Sequence, residues 1–357
     1  MFSISLTSYQ ISVMVAILSV SLLAKPIKIG MSADLSGPHK TIGTSLVSGI
    51  KPTISKINKK GGINGQRVRF IVLDDKSNPN QTYKNTQRLI KRYKVDLLFS
   101  YTGVDGVKEA LPLMIKSNTP LFFPYSNASH LHVGDYSPLT FHWRPSDLEE
   151  ATALMNYLAR NKRRKIAIYY AKTNIGVSGF NSIKKALRKK RLTPVIAIGV
   201  KPSSDLTNNF ELDTFLLLKE NPTAIICITP PNITAQIIKS IRTNTQTPIA
   251  LMSSTDANKL TRELIKTNTT MTNIIMSQAV PTKKHNKNYK YFRKTVGKPY
   301  DPIIYEGYLN TIRLTQLLKR NSLEELIHNH GEVSQSLNDR HDVSLVRLTK
   351  KGWTSIQ

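Results

Sequence analysis

The chain has 357 residues, 40% of them hydrophobic, with 51 Lys and Arg against 23 Asp and Glu for a formal charge of +28, and a single cysteine. That is a globular composition at a length beyond the usual single domain, which points to two lobes with separate cores, and one cysteine excludes an intrachain disulfide framework. The excess of cations fits three readings: a nucleic-acid partner, an anionic membrane surface, or a generally basic proteome and compartment. The clusters "NKRRK" (Asn161 to Lys165) and "KKALRKKR" (Lys184 to Arg191) sit beside or within helical patterns and have no aromatics interleaved. This favours solvated helix faces and ends over a nucleic-acid surface.

In chain order, "ISVMVAILSVSLLA" from Ile11 to Ala24 comes first. It is uncharged, about as long as a signal-peptide apolar region and shorter than the roughly 20 residues that span a bilayer. Residues 1–24 are expected to direct export, as a cleaved signal peptide or as an N-terminal anchor. The second form is kept because "MFSISLTSYQ" carries no cation and Leu22 stands where a small residue favours cleavage after Ala24. No cysteine lies near the run, so a lipid tether is excluded. Cys227, in the apolar "AIICITP", reads as a small core residue.

"KPIKIGMSADLSG" predicts a strand and turn, and Leu46, Val47, Ile50, Ile54 and Ile57 predict a helix over 43–58 despite Pro52. "GGING" follows, then the strand "RVRFIVLDD", a helix over 79–93, the strand "VDLLFSY", the helix "KEALPLMIKSN" and the strand "PLFFPY". After a turn-rich crossing at Phe141 to Ser146 the alternation restarts with "DLEEATALMNYLARN", "KIAIYYA", "GFNSIKKALRKK" and "PVIAIGV". It continues through "FELDTFLLLKEN", "TAIICIT", "ITAQIIKSIRTN" and "PIALMSS". Beyond "NIIMSQAVP" come helices over 288–296 and 305–319, and "HDVSLVRLTKKGW" reads as a short strand with a polar tail. Repeated strand, helix and strand with short connections predicts α/β architecture, with parallel sheets covered by helices on both faces.

Within this frame "GGING" reads as a helix C-cap and reversal, because Gly61, Gly62 and Gly65 can take the positive φ that ends a helix. It is not a P-loop: no Gly-Lys-Ser/Thr closes it, and the glycines precede the strand. Asp74 and Asp75 end the strand that follows, at the edge where sites form in parallel sheets, and either bind a ligand or cap the turn at "KSNP". Tyr101, Tyr125 and Asn127 also fall at strand ends, where polar and aromatic groups can face a cleft.

Four segments in order carry a family likeness: "IKIGMSADLSGP" from Ile27, "GGINGQRVRFIVLDDKSNP" from Gly61, "FHWRPSD" from Phe141 and "KIAIYYAKTNIGVSGF" from Lys165. With them the chain after about residue 27 resembles the Leu/Ile/Val-binding family of type I periplasmic substrate-binding proteins of ABC transporters. The resemblance implies two α/β lobes with three crossovers, a ligand held between them, and no catalysis or cofactor. Lobe one would comprise 27–143 and 280–328, and lobe two 144–279 and 329–357. The resemblance implies that the first lobe holds a carboxylate with backbone N–H groups and hydroxyls at Tyr101, Thr102, Gly103, Val104 and Asp105 and at Tyr125, Ser126 and Asn127. The second lobe would add Ile175, Pro230, and Thr255 with Asp256 beside it. Val104 replaces an expected hydroxyl, Thr255 replaces an expected acid, and Asp105 puts a negative charge beside a carboxylate. A neutral or cationic amide or amine therefore competes with a branched-chain amino acid as ligand. The implied partners are a small solute and either an inner-membrane ABC permease or a membrane signalling receptor, in the periplasm and without nucleic acid.

An enzyme would need features this chain lacks. There is no Gly-x-Ser-x-Gly and no Gly-x-Gly-x-x-Gly after a strand, and His130, His132 and His142 have no zinc-ligand spacing, so no metal site is expected.

Overall fold

The computed structural model describes residues 25–128, 131, 139–202, 209–252, 256–280, 288–338, 343–350 and 352–356. Two compact units are present: one comprises the described residues up to Pro124 with Lys290–His330, the other Tyr125–Tyr289 with Gly331 onward. The expected signal or anchor at 1–24 lies outside the described residues.

The first unit alternates β1 (Ile27–Ala33), α1 (Lys40–Lys59), β2 (Val68–Asp74), α2 (Pro79–Lys91), β3 (Leu97–Phe99), α3 (Val104–Ser117) and β4 (Leu121–Phe122). The strands lie parallel in the order β2-β1-β3-β4, with Ile27 opposite Val68 and Ala33 opposite Asp74. Helix α1 turns Leu46, Ile50 and Ile54 inward at four-residue spacing. The "GGING" segment closes α1 as expected: the Gly62 N–H returns to the Ile57 carbonyl at 3.0 Å, and Gly61, Gly62 and Gly65 have φ of 92°, 81° and 80°.

The second unit contains β5 (Thr140–Phe141), α4 (Asp147–Arg160), β6 (Ile166–Ala171), α5 (Asn174–Arg188), β7 (Ile196–Val200), α6 (Phe210–Lys219), β8 (Ala224–Ile228), α7 (Pro231–Arg242), β9 (Ile249–Leu251), α8 (Ala257–Lys266) and β10 (Ile274–Gln278). Next along the chain are α9 (Tyr289–Val296) and α10 (Pro302–Arg320), then α11 (Leu323–His328) and α12 (His330–Asn338), and finally β11 (Ser344–Thr349) and β12 (Gly352–Ser355). Helix α10 packs on α1 so closely that a Cβ at Gly49 or Gly307 would run into the carbonyls of Ile304 and Leu46 respectively.

The sheet of the second unit has the order β12-β11-β10-β9-β8-β6-β7 and is parallel from β10 to β7. Its buried Ile, Leu, Ala and Cys side chains form cores on both faces, including Cys227 and Ile225 on one and Ile226 and Ile228 on the other. The C-terminal segment departs from the expected strand and polar tail: β11 and β12 form an antiparallel hairpin on the sheet edge. Thr349 pairs with Gly352, so the connection is far too short for a parallel crossover. Trp353 anchors the hairpin through its indole N–H, which reaches the Thr261 hydroxyl at 3.0 Å.

Candidate binding site

At the end of β3 the chain turns sharply through Ser100, which has a φ of 50°. Tyr101 is fully buried, its hydroxyl 3.0 Å from Thr86 Oγ1, and burial pushes that phenol upward. Thr102 Oγ1 accepts the Asp34 N–H at 3.2 Å. Gly103 is the N-cap of α3 with a φ of 83° and has no side chain to cap it, Val104 is buried, and Asp105 is an exposed acid in the first turn. Residues 101–105 therefore form one strand-end turn feeding one helix N-terminus.

The paired carboxylates ending β2 cap this edge. Asp74 accepts from the Leu35 N–H (2.9 Å) and the Ser36 hydroxyl (2.6 Å), and Asp75, 1% exposed, accepts from Ser32 Oγ (2.8 Å), the Ser77 N–H (3.0 Å) and Thr82 Oγ1 (3.2 Å). Asp34 binds the N–H groups of Gly37 (2.5 Å) and His39 (2.7 Å) and Ser77 Oγ (2.6 Å). Burial pushes all three carboxyls up. In Asp34 and Asp74 the hydrogen bonds overcome that and hold the group below the ordinary carboxylate range, while in Asp75 burial prevails. Of the two readings open for Asp74 and Asp75, turn capping is the one these contacts express.

In the second unit Ile175, Pro230 and Asp256 follow three adjacent strands, β6, β8 and β9, at their carboxyl ends. Ile175 lies in the first turn of α5 and is 48% exposed; Pro230 is the N-cap of α7 and half-buried. Asp256 caps α8, with Oδ1 accepting the Lys259 N–H at 2.9 Å. Thr255 lies outside the described residues.

Tyr125, Ser126 and Asn127 are tied into a polar cluster that the sequence reading missed. The Arg144 guanidinium stacks 4.2 Å from the centre of the Tyr125 ring, and Ser126 Oγ accepts the Ala128 N–H at 3.4 Å. The Asn127 side-chain amide donates to Glu150 Oε1 (3.0 Å), and the Asn127 backbone carbonyl accepts the Asp147 N–H (2.6 Å). Ser277 Oγ donates to Glu150 Oε2 at 2.5 Å, and Ser178 Oγ to Asp147 Oδ2 at 2.5 Å. Glu150 is fully buried and Asp147 3% exposed. A signal was present in the sequence: Asp147 and Glu150 share the α4 stripe of Ala151, Leu154 and Leu158, where acids do not belong unless they are partnered.

Among the described residues no group of His, Cys, Asp and Glu is arranged to hold a metal ion, and no helix is long and apolar enough to cross a membrane. His142 Nε2 lies 2.9 Å from the Leu131 carbonyl, while His130 and His132 fall outside the described residues. Burial pushes the Cys227 thiol up to about 12, which suits a packing residue and no chemistry.

A family model described as "Periplasmic binding protein" matches residues 26–324. The Leu/Ile/Val-binding protein of Escherichia coli K12 is 22% identical over 190 residues, 50% of this chain and 48% of that protein, so the chain spans about half the length of the curated relatives it matches. Among solved structures, an extracellular ligand-binding receptor from Verminephrobacter eiseniae superposes with a TM-score of 0.78 at 18% identity, covering 93% of this chain and 100% of that one. The branched-chain amino acid transporter substrate-binding protein LivJ from Streptococcus pneumoniae, solved with isoleucine, superposes with a TM-score of 0.72 at 16% identity, covering 93% and 99%. At such identities the structures are alike in fold alone; the family model, covering most of the sequence, carries the assignment. The chain belongs to the periplasmic binding protein family, a family of non-catalytic binding proteins, and its relatives come from the type I, Leu/Ile/Val-binding branch.

Proposed function

We propose that this chain is the extracytoplasmic solute-binding component of an ABC uptake system, that it works in the periplasm with an inner-membrane permease, and that its ligand is a branched-chain or related small amino acid. Residues 1–24 act in this reading as the export signal or anchor. Lobe one is taken as 27–143 with 280–328, and lobe two as 144–279 with 329–357. The observation that carries the reading is the start of α3. Gly103, at φ 83°, leaves the first N–H groups of that helix without a side-chain cap at the carboxyl end of β3, where a carboxylate can accept them. Thr102, Val104 and Asp105 flank that position. Tyr101, Tyr125, Ser126, Asn127, Ile175, Pro230, Thr255 and Asp256 complete the proposed set. The names of the relatives support the ligand class.

One specific observation favours a second ligand class. Asp256, the acid available for an α-ammonium, has an oxygen engaged at the N-cap of α8, and Asp105 adds a negative charge to the first turn of α3. Both features suit a neutral or cationic amide or amine, delivered to a permease or reported to a membrane receptor. A thermal-shift screen of amino acids, amides and polyamines on refolded, ligand-free protein, followed by calorimetry, separates the two. Micromolar binding of leucine, isoleucine or valine that weakens at least about tenfold in Gly103→Ala supports the amino-acid reading, because an added Cβ at positive φ distorts the N–H row. Binding only of compounds without a carboxylate, altered by Asp105→Ala, replaces it.

A further inference from the structure

The sequence from Ala151 to Lys201 contains no Asp or Glu, although it holds both cation clusters. The fold brings these clusters to one place. Helices α4 and α5 precede and follow β6 and pack on each other, so both end at the edge where β6 and β7 begin. There Ala167 of β6 lies opposite Ile196 of β7, and the Val195 N–H bonds the Ile166 carbonyl at 2.9 Å. Arg163, Arg164 and Lys165 enter β6 at this edge, and Arg188, Lys189 and Arg191 leave α5 toward β7, all six exposed. Among the described residues none of these six side chains makes an ion pair or hydrogen bond. The left-handed residues that turn the two loops are Lys162 and Arg191, with φ of 59° and 57°, where glycine would be unstrained.

One or two cations per helix end are accounted for by the helix dipole. Six like charges on a single edge, with no acid between Ala151 and Lys201 and one exposed acid, Glu220, ahead of the neighbouring β8, exceed that need and repel one another.

We propose that this edge of the second unit is a docking surface for an anionic phospholipid bilayer. Charge complementarity selects an anionic partner, and the absence of a stacking platform separates a headgroup layer from a nucleic acid. The aromatics on α4 and α5 and at the far end of β6 are engaged: Tyr157 is half-buried with its hydroxyl accepting from Arg347 at 3.0 Å, and Tyr170 and Phe180 are half-buried and stacked on each other at 4.2 Å, with Lys184 over Phe180 at 5.1 Å, so none of the three rings is offered to a base. A sheet edge bearing flexible Arg and Lys side chains meets lipid phosphates without needing a groove, and each such cation near the surface adds to the attraction. The inference is independent of which solute the protein binds.

The test is co-sedimentation of the full chain with phosphatidylcholine vesicles and with vesicles containing about 30 mol% phosphatidylglycerol, read as the ratio of the two partition coefficients. The apolar residues 11–24 contribute to both vesicle types and so cancel in the ratio. A ratio of about ten or more in roughly 0.1 M salt, collapsing toward one in roughly 0.5 M salt, is expected. The variant R163E/R164E/K189E/R191E should bring the ratio to about one, while K51E/K59E/K60E/K116E, of equal net charge on the first unit, should leave most of it. If the first variant loses its circular dichroism signal, R163Q/R164Q should still lower the ratio about threefold. A wild-type ratio near one overturns the proposal, as does equal loss in both reversal variants, which would report net charge alone. Tighter binding to duplex or single-stranded DNA at the same salt, lost in the first variant, would assign the surface to nucleic acid instead.

Discussion

Asp147 opens α4 from a buried position, 3% exposed, and faces Ser178 Oγ, Glu150 and Arg144. Burial pushes its carboxyl up to about 7; the Ser178 hydrogen bond and the Arg144 charge pull against this, and the Glu150 charge reinforces it. The folded protein thus holds a proton that the unfolded chain releases near 3.8. The stability linked to that proton is complete below about pH 4 and is lost as the pH rises through about 7. At about 1.4 kcal/mol per unit, the interval amounts to about 4 kcal/mol. Asp147→Asn keeps an oxygen to accept from Ser178 and removes the charge. Its stability minus that of the wild type should be near zero at pH 4 and should climb to about 3–4 kcal/mol in the variant's favour by pH 8. Contributions from Asp34, Asp74 and Asp75 cancel in the difference. Urea titration followed by tryptophan fluorescence suits the purpose, because the two tryptophans, Trp143 and Trp353, both belong to the second unit. A difference that stays flat from pH 4 to pH 8 would refute the assignment of the raised carboxyl to Asp147.

Glu150→Ala should destabilise the second unit by about 3–4 kcal/mol in the same titration, since Asn127 Nδ2 and Ser277 Oγ are left buried without their charged acceptor. A loss below about 1 kcal/mol would mean that both groups find other partners. Gly307→Ala tests the close approach of α10 to α1. Glycine to alanine inside an exposed helix gains up to about 1 kcal/mol, whereas here the added Cβ meets the Leu46 carbonyl and should cost about 2–3 kcal/mol. Circular dichroism is the appropriate readout, because the tryptophans lie in the other unit. A stabilised variant would show that the two backbones can separate freely.

Period and punctuation carried most of the secondary structure. The β/α alternation, the "GGING" reversal and the four-residue spacing of Leu46, Ile50 and Ile54 are local, because turn glycines and amphipathic stripes are dictated by backbone sterics and burial within a few residues. Helix starts were less legible. The expected helices at Lys108 and Gly179 begin at Val104 and Asn174, since "YTGVDG" and "KTNIGV" contain glycines that suggest a loop. Gly106 and Gly176 are helical all the same, and the glycines serve close packing there, since an added Cβ would strike Thr82 and the Ala171 carbonyl. The hairpin of β11 and β12 was missed for a related reason: its pairing with β10 is a long-range contact, and "KKGW" alone shows only polarity.

The sequence by itself determined the family, the parallel α/β organisation and the strand-end location of Tyr101 to Asp105, Ile175 and Pro230, because all of these follow from the order of strands and turns. The tertiary structure alone decided what the polar side chains at those ends do. Asp74, Asp75 and Asp256 cap turns and helices, and Asn127 serves Glu150 from 23 positions away. A carboxylate or an amide has the same local signature whether it faces a solute or a backbone N–H; only three-dimensional placement supplies the partner, and burial makes that partner obligatory.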